Sequence, residues 1–306
     1  MRKTPFGKTG YSVSPLGFGA APVGYLKTEQ ERIARILNLL LDSGVNLLDT
    51  AASYPGSEQA IGKAVGHRRK EFVLVSKCGG KLPDVSAAPW SEANITATVD
   101  RALKNLQTDH LDVMLLHSCD EAELRKGHAL AALVKARDAG KIRFAGYSGD
   151  NAAAACAAEL PDIAVVETSI SIADQVNIDL VLPKAQKHQI GVLAKRPIAN
   201  AAWKELKDQK GLYQGYAKTY HDRLRKMQLD PAKLGFTGPH AWSELALRFT
   251  LSQPGVHCAI IGTTNPDNAK ANIELVEKGP LPADVIAKVR QAFAAADADL
   301  SWTGQT

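Results

Sequence analysis

The sequence predicts an α/β chain folded as a (β/α)8 barrel, with a short N-terminal β-hairpin ahead of it and a long loop after strand seven. Three observations predict this. Eight short runs rich in Val, Ile and Leu are apolar at nearly every position, as strands covered on both faces are. The longer segments between them carry helical periodicity. The alternation fills nearly all of the 306 residues, enough for one barrel of ~250 residues with additions. The competing architecture, an open doubly wound sheet, usually has a Gly-rich turn after its first strand. Here Gly17-Phe-Gly19-Ala-Ala-Pro22 puts proline where the third glycine belongs, and no Walker A motif occurs. No internal repeat or linker interrupts the pattern, so residues 1–306 read as one domain.

The predicted strands are Val13–Ala20, Val45–Thr50, Phe72–Lys77, Leu111–His117, Ile142–Ser148, Ile163–Thr168, Ile190–Ala194 and Cys258–Gly262. Before them, Arg2–Ser12 contains a Lys-Thr-Gly turn and reads as the hairpin. After strand one, Thr28-x-x-Glu31 has the form of a capping box, with Ile33, Ile36, Leu37 and Leu40 at helical spacing and Gly44 as the stop. Ser91 caps a helix that carries Ile95, Val99, Leu103 and Leu106 on one face. Asn265-Pro266 combines an N-cap with proline at the first helical position. The Ala-rich run Ala152–Ala158 is a helix former. The stretch Asn200–His240 breaks the alternation. It carries eight Lys or Arg against four Asp or Glu, and a long ordered loop on a barrel is usually functional.

Composition excludes several classes. Hydrophobic residues make up 45% and charged residues 23%, the balance of an ordinary globular chain. Mean hydropathy is −0.15 and no long apolar run exists, so no membrane span is expected. The basic start MRKTPFGKTG lacks an apolar stretch behind it, so a secretory signal is not expected. The net charge of +5 is spread along the chain. That favours small anions and gives no dense stripe for nucleic acid. Cys78, Cys119, Cys156 and Cys258 form no CxxC and read as reduced thiols of a cytoplasmic protein.

In a barrel, chemistry sits where strands end. Strand two ends in Leu48-Asp49-Thr50 with Tyr54 just beyond, strand three in Ser76-Lys77, strand four in Leu116-His117, and strand five in Tyr147-Ser148. A tyrosine hydroxyl has an ordinary pKa of ~10 and becomes a proton donor near neutrality beside a cation. Lys77 is that cation, Asp49 holds it, and His117 donates to an oxygen that is gaining charge. No nucleophile–base pair and no metal cluster accompanies them. A set built to protonate an oxygen needs a hydride from elsewhere, most simply a nicotinamide. Each residue alone has a structural explanation: a capped turn for Asp49, a surface ring for Tyr54, a solvated Lys77, a loop His117. Together they read as catalytic.

The segments Leu48-Asp-Thr-Ala-Ala-Ser-Tyr54, Val75-Ser-Lys77 and Leu115-Leu-His117 resemble the tetrad motifs of the aldo-keto reductase superfamily. The opening Phe6-Gly-Lys-Thr-Gly10 and Leu16-Gly-Phe-Gly19 match as well, and the resemblance extends to the segment Gly262–Asn272. It implies a barrel that reduces aldehydes or ketones, or oxidises a sugar or alcohol in reverse, with NADP(H) more often than NAD(H) and without metal. By this resemblance Tyr54 is the general acid, tuned by Lys77 and Asp49, with His117 orienting the carbonyl of a small-molecule substrate. Asp49 and Ser148 resemble nicotinamide contacts. Gly262, Thr263 and Thr264 resemble the adenosine-phosphate loop, and Asn268 and Asn272 lie where the family contacts adenine. The helix start at Pro266 offers free N–H groups to phosphate. Lys195 and Arg196 would face the pyrophosphate, with the basic insertion folding over it.

The chain departs from the family pattern in places. Gly149 stands where Asn commonly follows Ser148. Glu167 stands for the strand-six Gln, and Ile170 for the aromatic against the nicotinamide. The usual cation for a 2′-phosphate is absent at Thr264 and Asn268, with Lys270 as a substitute. Trp90, Trp203 and Trp242 are read as ordinary packing before pocket lining. The altered ring contacts motivate a second reading, a nucleotide-sensing regulatory subunit on the same barrel. A third is a lyase or isomerase working through a Lys77 Schiff base.

Overall fold

The computed structural model describes residues 1–26, 28–208 and 213–305. Eight parallel strands close into a barrel: β1 (Leu16–Gly19), β2 (Leu47–Asp49), β3 (Val73–Cys78), β4 (Leu111–His117), β5 (Ile142–Ser148), β6 (Ile163–Ser169), β7 (Gly191–Lys195) and β8 (Cys258–Ile261). Each pairs with its successor, and β8 also pairs with β1. The predicted eight-stranded barrel is therefore the observed one, with strand ends differing by a few residues. The first predicted run divides: Val13 belongs to the hairpin and Leu16–Gly19 to the barrel.

Strand pleating sorts the side chains. Leu47, Val73, Val75, Val113, Leu115, Val165, Leu193, Cys258 and Ile260 form one buried cluster that fills the barrel. The intervening residues, such as Leu48, Leu74, Met114 and Leu116, join a second cluster shared with the surrounding helices. Small residues make room inside. A Cβ on Gly146 would lie 2.4 Å from Leu115 Cδ2.

The helices start where local chemistry and packing agree. Ser91 Oγ accepts from the Asn94 amide, and Asn265 Oδ1 accepts from that of Asp267. The capping box at Thr28 is not used. The helix Gln30–Asp42 begins one residue after Glu29, whose side chain makes no capping bond. Its register is set by buried Ile33, Ile36, Leu37 and Leu40, and by Gln30 donating to the Ala60 carbonyl at 3.0 Å.

The N-terminal hairpin pairs Thr4–Pro5 with Ser12–Val13 and closes the barrel floor. Phe6 and Val13 are fully buried in the interior cluster, and Phe6 meets His257 edge-on. Gly7 has φ +54°, and a Cβ there would sit 2.3 Å from the Gly191 nitrogen, so the floor admits only glycine at this turn.

The stretch after β7 is more ordered than the predicted long loop. It contains the helix Tyr213–Met227, whose buried Tyr220 donates to Asp174 at 2.7 Å. Residues 209–212 of this stretch, with Lys210 among them, lie outside the described residues. The helix seats the C-terminal segment: Arg223 donates to the Thr303 carbonyl at 2.7 Å. Asn151 brackets Gly304 with two hydrogen bonds, and Asp174 accepts from the Gln305 amide. Among the described residues, no helix is long and apolar enough to cross a membrane.

Removing the floor ring tests this account. Phe6→Ala is expected to lower the unfolding free energy by ~3–5 kcal/mol, read from equilibrium urea denaturation. An unchanged midpoint would show that the hairpin is not part of the core.

Candidate functional site

The polar groups at the barrel mouth follow from the pleat. Asp49, Lys77, His117, Ser148, Glu167 and Lys195 each lie two residues beyond Leu47, Val75, Leu115, Gly146, Val165 and Leu193. Period-two alternation therefore turns them to the inner side. His117 is in register with Ser148, and Ser148 with Glu167. All of them but the buried Lys77 line a cleft of ≈ 560 Å³. A slightly larger apolar groove of ≈ 620 Å³ lies beside the C-terminal helix. Its charged pair, Arg290 and Asp179, is self-satisfied at 2.6 Å.

Lys77 is fully buried. Its Nζ donates to Asp49 Oδ1 at 2.6 Å, Asp49 Oδ2 at 2.7 Å and the Thr50 carbonyl at 3.0 Å. Glu167 Oε2 lies 3.3 Å away as a second carboxylate. Burial disfavours the Lys77 charge, but Asp49, Glu167 and Tyr54 outweigh it and hold its pKa above the ordinary lysine value. Burial, then repulsion from Glu167, pushes Asp49 well above the usual carboxylate range against the pull of Lys77.

Tyr54 is half-buried and sits in the turn after β2, where its amide donates to the Ala51 carbonyl at 3.0 Å. Lys77 Nζ is 5.3 Å from its ring centroid, and His117 meets the ring edge-on at 6.1 Å. A Cβ on Gly24 would lie 2.9 Å from Pro55, so the turn is pressed against the segment after β1. Burial, then the cations Lys77, Lys195 and Arg196, drops the His117 pKa well below its usual value. Its Nδ1 faces Ser53 Oγ at 3.5 Å.

Ser148 donates to Glu167 Oε1 at 3.2 Å. Lys195 and Arg196 both line the cleft but are not free to turn into it. Lys195 Nζ pairs with Asp150 Oδ2 at 2.9 Å. Arg196 donates to Ser169 Oγ at 2.9 Å and to the Gln305 carbonyl. Gly262, Thr263, Thr264 and Asn268 line the opposite wall. A Cβ on Gly262 would lie 2.4 Å from the Gly19 carbonyl oxygen. At the helix start, the Asp267 amide is already taken by Asn265.

Asn272 is buried on the inner face of its helix and does not line the cleft. Ile170 is fully buried in the outer core cluster, away from the lining. Gly149 is fixed by packing: a Cβ there would meet the Tyr147 hydroxyl at 2.4 Å, and that hydroxyl donates to the Cys119 carbonyl. Of the described basic residues in the insertion, only Lys204 reaches the cleft, because its helix covers the C-terminal segment instead. Trp203 stacks on Trp242 with 5.6 Å between centroids, and Trp90 closes on Gly79, so all three tryptophans are packing residues.

Sequence reasoning missed Asp150. Its fully buried carboxylate accepts from Thr168, Ser169 and Asn177 as well as pairing with Lys195. An acid two residues past the end of a buried strand was the available signal. It also missed Ser53 and the C-terminal segment, whose contacts are nonlocal.

The cleft suits a nicotinamide dinucleotide. It runs from the charged cluster to a helix N-terminus, and at the charged end the buried Glu167 Oε2 has no hydrogen-bond partner. A model of the aldo/keto reductase family matches residues 15–294. The chain is 27% identical to an uncharacterized oxidoreductase, YqkF, of Bacillus subtilis over 90% of both chains. It is 24% identical to the L-galactose dehydrogenase of Arabidopsis thaliana, over 88% of this chain and 86% of the other. The solved aldo-keto reductase AKR11C1 from Bacillus halodurans, in its holo form, superimposes with a TM-score of 0.80 at 27% identity, over 96% of this chain and 97% of that one. Barrel, cleft and these likenesses agree: the chain belongs to the aldo/keto reductase family and is an NAD(P)H-dependent oxidoreductase.

Proposed function

We propose that this protein reduces an aldehyde or ketone to an alcohol, or oxidises a sugar or alcohol in reverse, with Tyr54 as the general acid and base. The observation that carries the reading is the buried Lys77 ammonium, saturated by Asp49 and the Thr50 carbonyl and held 5.3 Å from the Tyr54 ring. A bound nicotinamide supplies or accepts the hydride at carbon. Tyr54 gives its proton to the carbonyl oxygen, and Lys77 stabilises the phenolate left behind. Asp49 positions Lys77 and keeps it charged. The neutral His117 ring donates one N–H to the same oxygen, while Ser53 donates to the other ring nitrogen.

Ser148 and Glu167 hold the nicotinamide side. Gly262, Thr263, Thr264 and Asn268 receive the adenosine and its phosphates. NADP(H) is the proposed cofactor before NAD(H). Lys204 lines the cleft and is the candidate partner of a 2′-phosphate, whereas Lys270 does not line it. Lys195 and Arg196 flank the pyrophosphate, held by Asp150. Four free, buried thiols suit a reducing cytoplasm. Turnover is favoured over a purely regulatory role, because the departures that motivated the latter have structural causes. Ile170 lies outside the cleft and Gly149 is demanded by Tyr147.

Two measurements test the mechanism. Tyr54→Phe is expected to lower kcat by roughly 10²–10⁴-fold with nucleotide affinity nearly unchanged, read from nucleotide oxidation with a panel of aldehydes and diketones. Retained turnover would remove Tyr54 from the reaction. The second follows from the depressed His117 pKa. The ring stays neutral as pH falls through the ordinary histidine value of about 6.5, so kcat/KM should show no histidine inflection there. An inflection near that pH that disappears in His117→Gln would overturn the neutral-donor assignment.

A further inference from the structure

We propose that Glu167 biases the cleft toward the oxidised, positively charged nicotinamide over the reduced, neutral one. This rests on the dinucleotide reading above and goes beyond it, from which cofactor binds to which redox form binds better.

Glu167 is 2% exposed, yet it lines the cleft beside Asp49, His117 and Ser148. One carboxylate oxygen is occupied by the Ser148 hydroxyl. The other, Oε2, lies 3.3 Å from Lys77 Nζ but accepts no hydrogen bond. The reason is geometric: the three ammonium protons of Lys77 are already directed at the two Asp49 oxygens and the Thr50 carbonyl. Two carboxylates therefore share one ammonium, and Glu167 Oε2 keeps an unused acceptor. Lys195 pairs with Asp150, and Arg196 donates to Ser169 and the C-terminal segment. His117 adds no charge while its ring is neutral.

A glutamine in this place would fill the same space and accept the same Ser148 bond without charge. The distinctive contribution of Glu167 is thus Coulombic. Oxidised and reduced dinucleotides differ by one positive charge on the nicotinamide ring and share the rest of the molecule. A buried anion on that side of the cleft acts on the difference alone.

The test needs no turnover. Kd values for NADP+ and NADPH would be measured by isothermal titration calorimetry on the wild type and on Glu167→Gln. In the variant, affinity for NADP+ relative to NADPH should fall about tenfold, an order set by one screened charge pair. That corresponds to about 30 mV in the bound two-electron couple. An unchanged ratio, with both nucleotides still binding, overturns the proposal and leaves Glu167 a structural carboxylate. If the variant does not fold, the wild type decides. It should bind NADP+ at least as tightly as NADPH, and a clear preference for NADPH overturns the inference. Binding of neither nucleotide to the wild type would instead remove the dinucleotide reading itself.

Discussion

Closure of the parallel sheet between β8 and β1 is the constraint on which the rest depends. A strand alternates its side chains whether or not it belongs to a barrel, but only a closed sheet makes the inward set of each strand converge. The lower inward positions are apolar and fill the interior; the next position up each of the strands β2 to β7 is polar. One pattern thus builds a packed core and, directly above it, a ring of groups that no single strand could bring together. The hairpin completes the arrangement by sealing the lower end with Phe6 and Val13, so the core needs no contribution from the mouth to stay dry.

The mouth holds buried charge at a cost. Burying an ammonium and two carboxylates sacrifices several kcal/mol of hydration per ion before their attraction returns it. Lys77 recovers most through three hydrogen bonds at one end of the cluster. Asp150 recovers more, with Thr168, Ser169, Asn177 and Lys195 all directed at it, and its pKa falls below the usual carboxylate range: Lys195 and the Ser169 amide outweigh the opposing effect of burial. The contrast between these neighbouring acids is informative. Asp150 is fully served and Glu167 is not, so the unspent acceptor capacity is concentrated at one end of the cleft.

Strands and the four residues Asp49, Tyr54, Lys77 and His117 were legible because their signals are local. An apolar run, a polar residue at its end and a cap such as Ser91 are each contained within a few positions. Glu167 was legible as a site position, but its second partner Lys77 is far away in sequence. Lys195 and Arg196 were placed correctly on the rim, yet Asp150 and Gln305, which hold them, come from other parts of the chain. The capping box at Thr28 misled because packing of Ile33 and Ile36 fixed the helix register. The insertion after β7 read as a loop because its mixed, basic composition hides the face of Tyr220 and Leu224 that the C-terminal segment helps to bury.

The two ends of the chain lie on opposite sides of the barrel. Met1 packs near Gly44, just before β2 begins, whereas Gly304 and Gln305 are held by Asn151, Asp174 and Arg196 where strands β5 to β7 end. The molecule therefore has an inert pole and a working pole. A dye, affinity handle or surface anchor joined ahead of Thr4 emerges beneath the sealed floor and leaves the cleft facing solution. The same attachment following Gln305 starts beside Arg196, where its bulk and charge would compete with whatever enters the barrel.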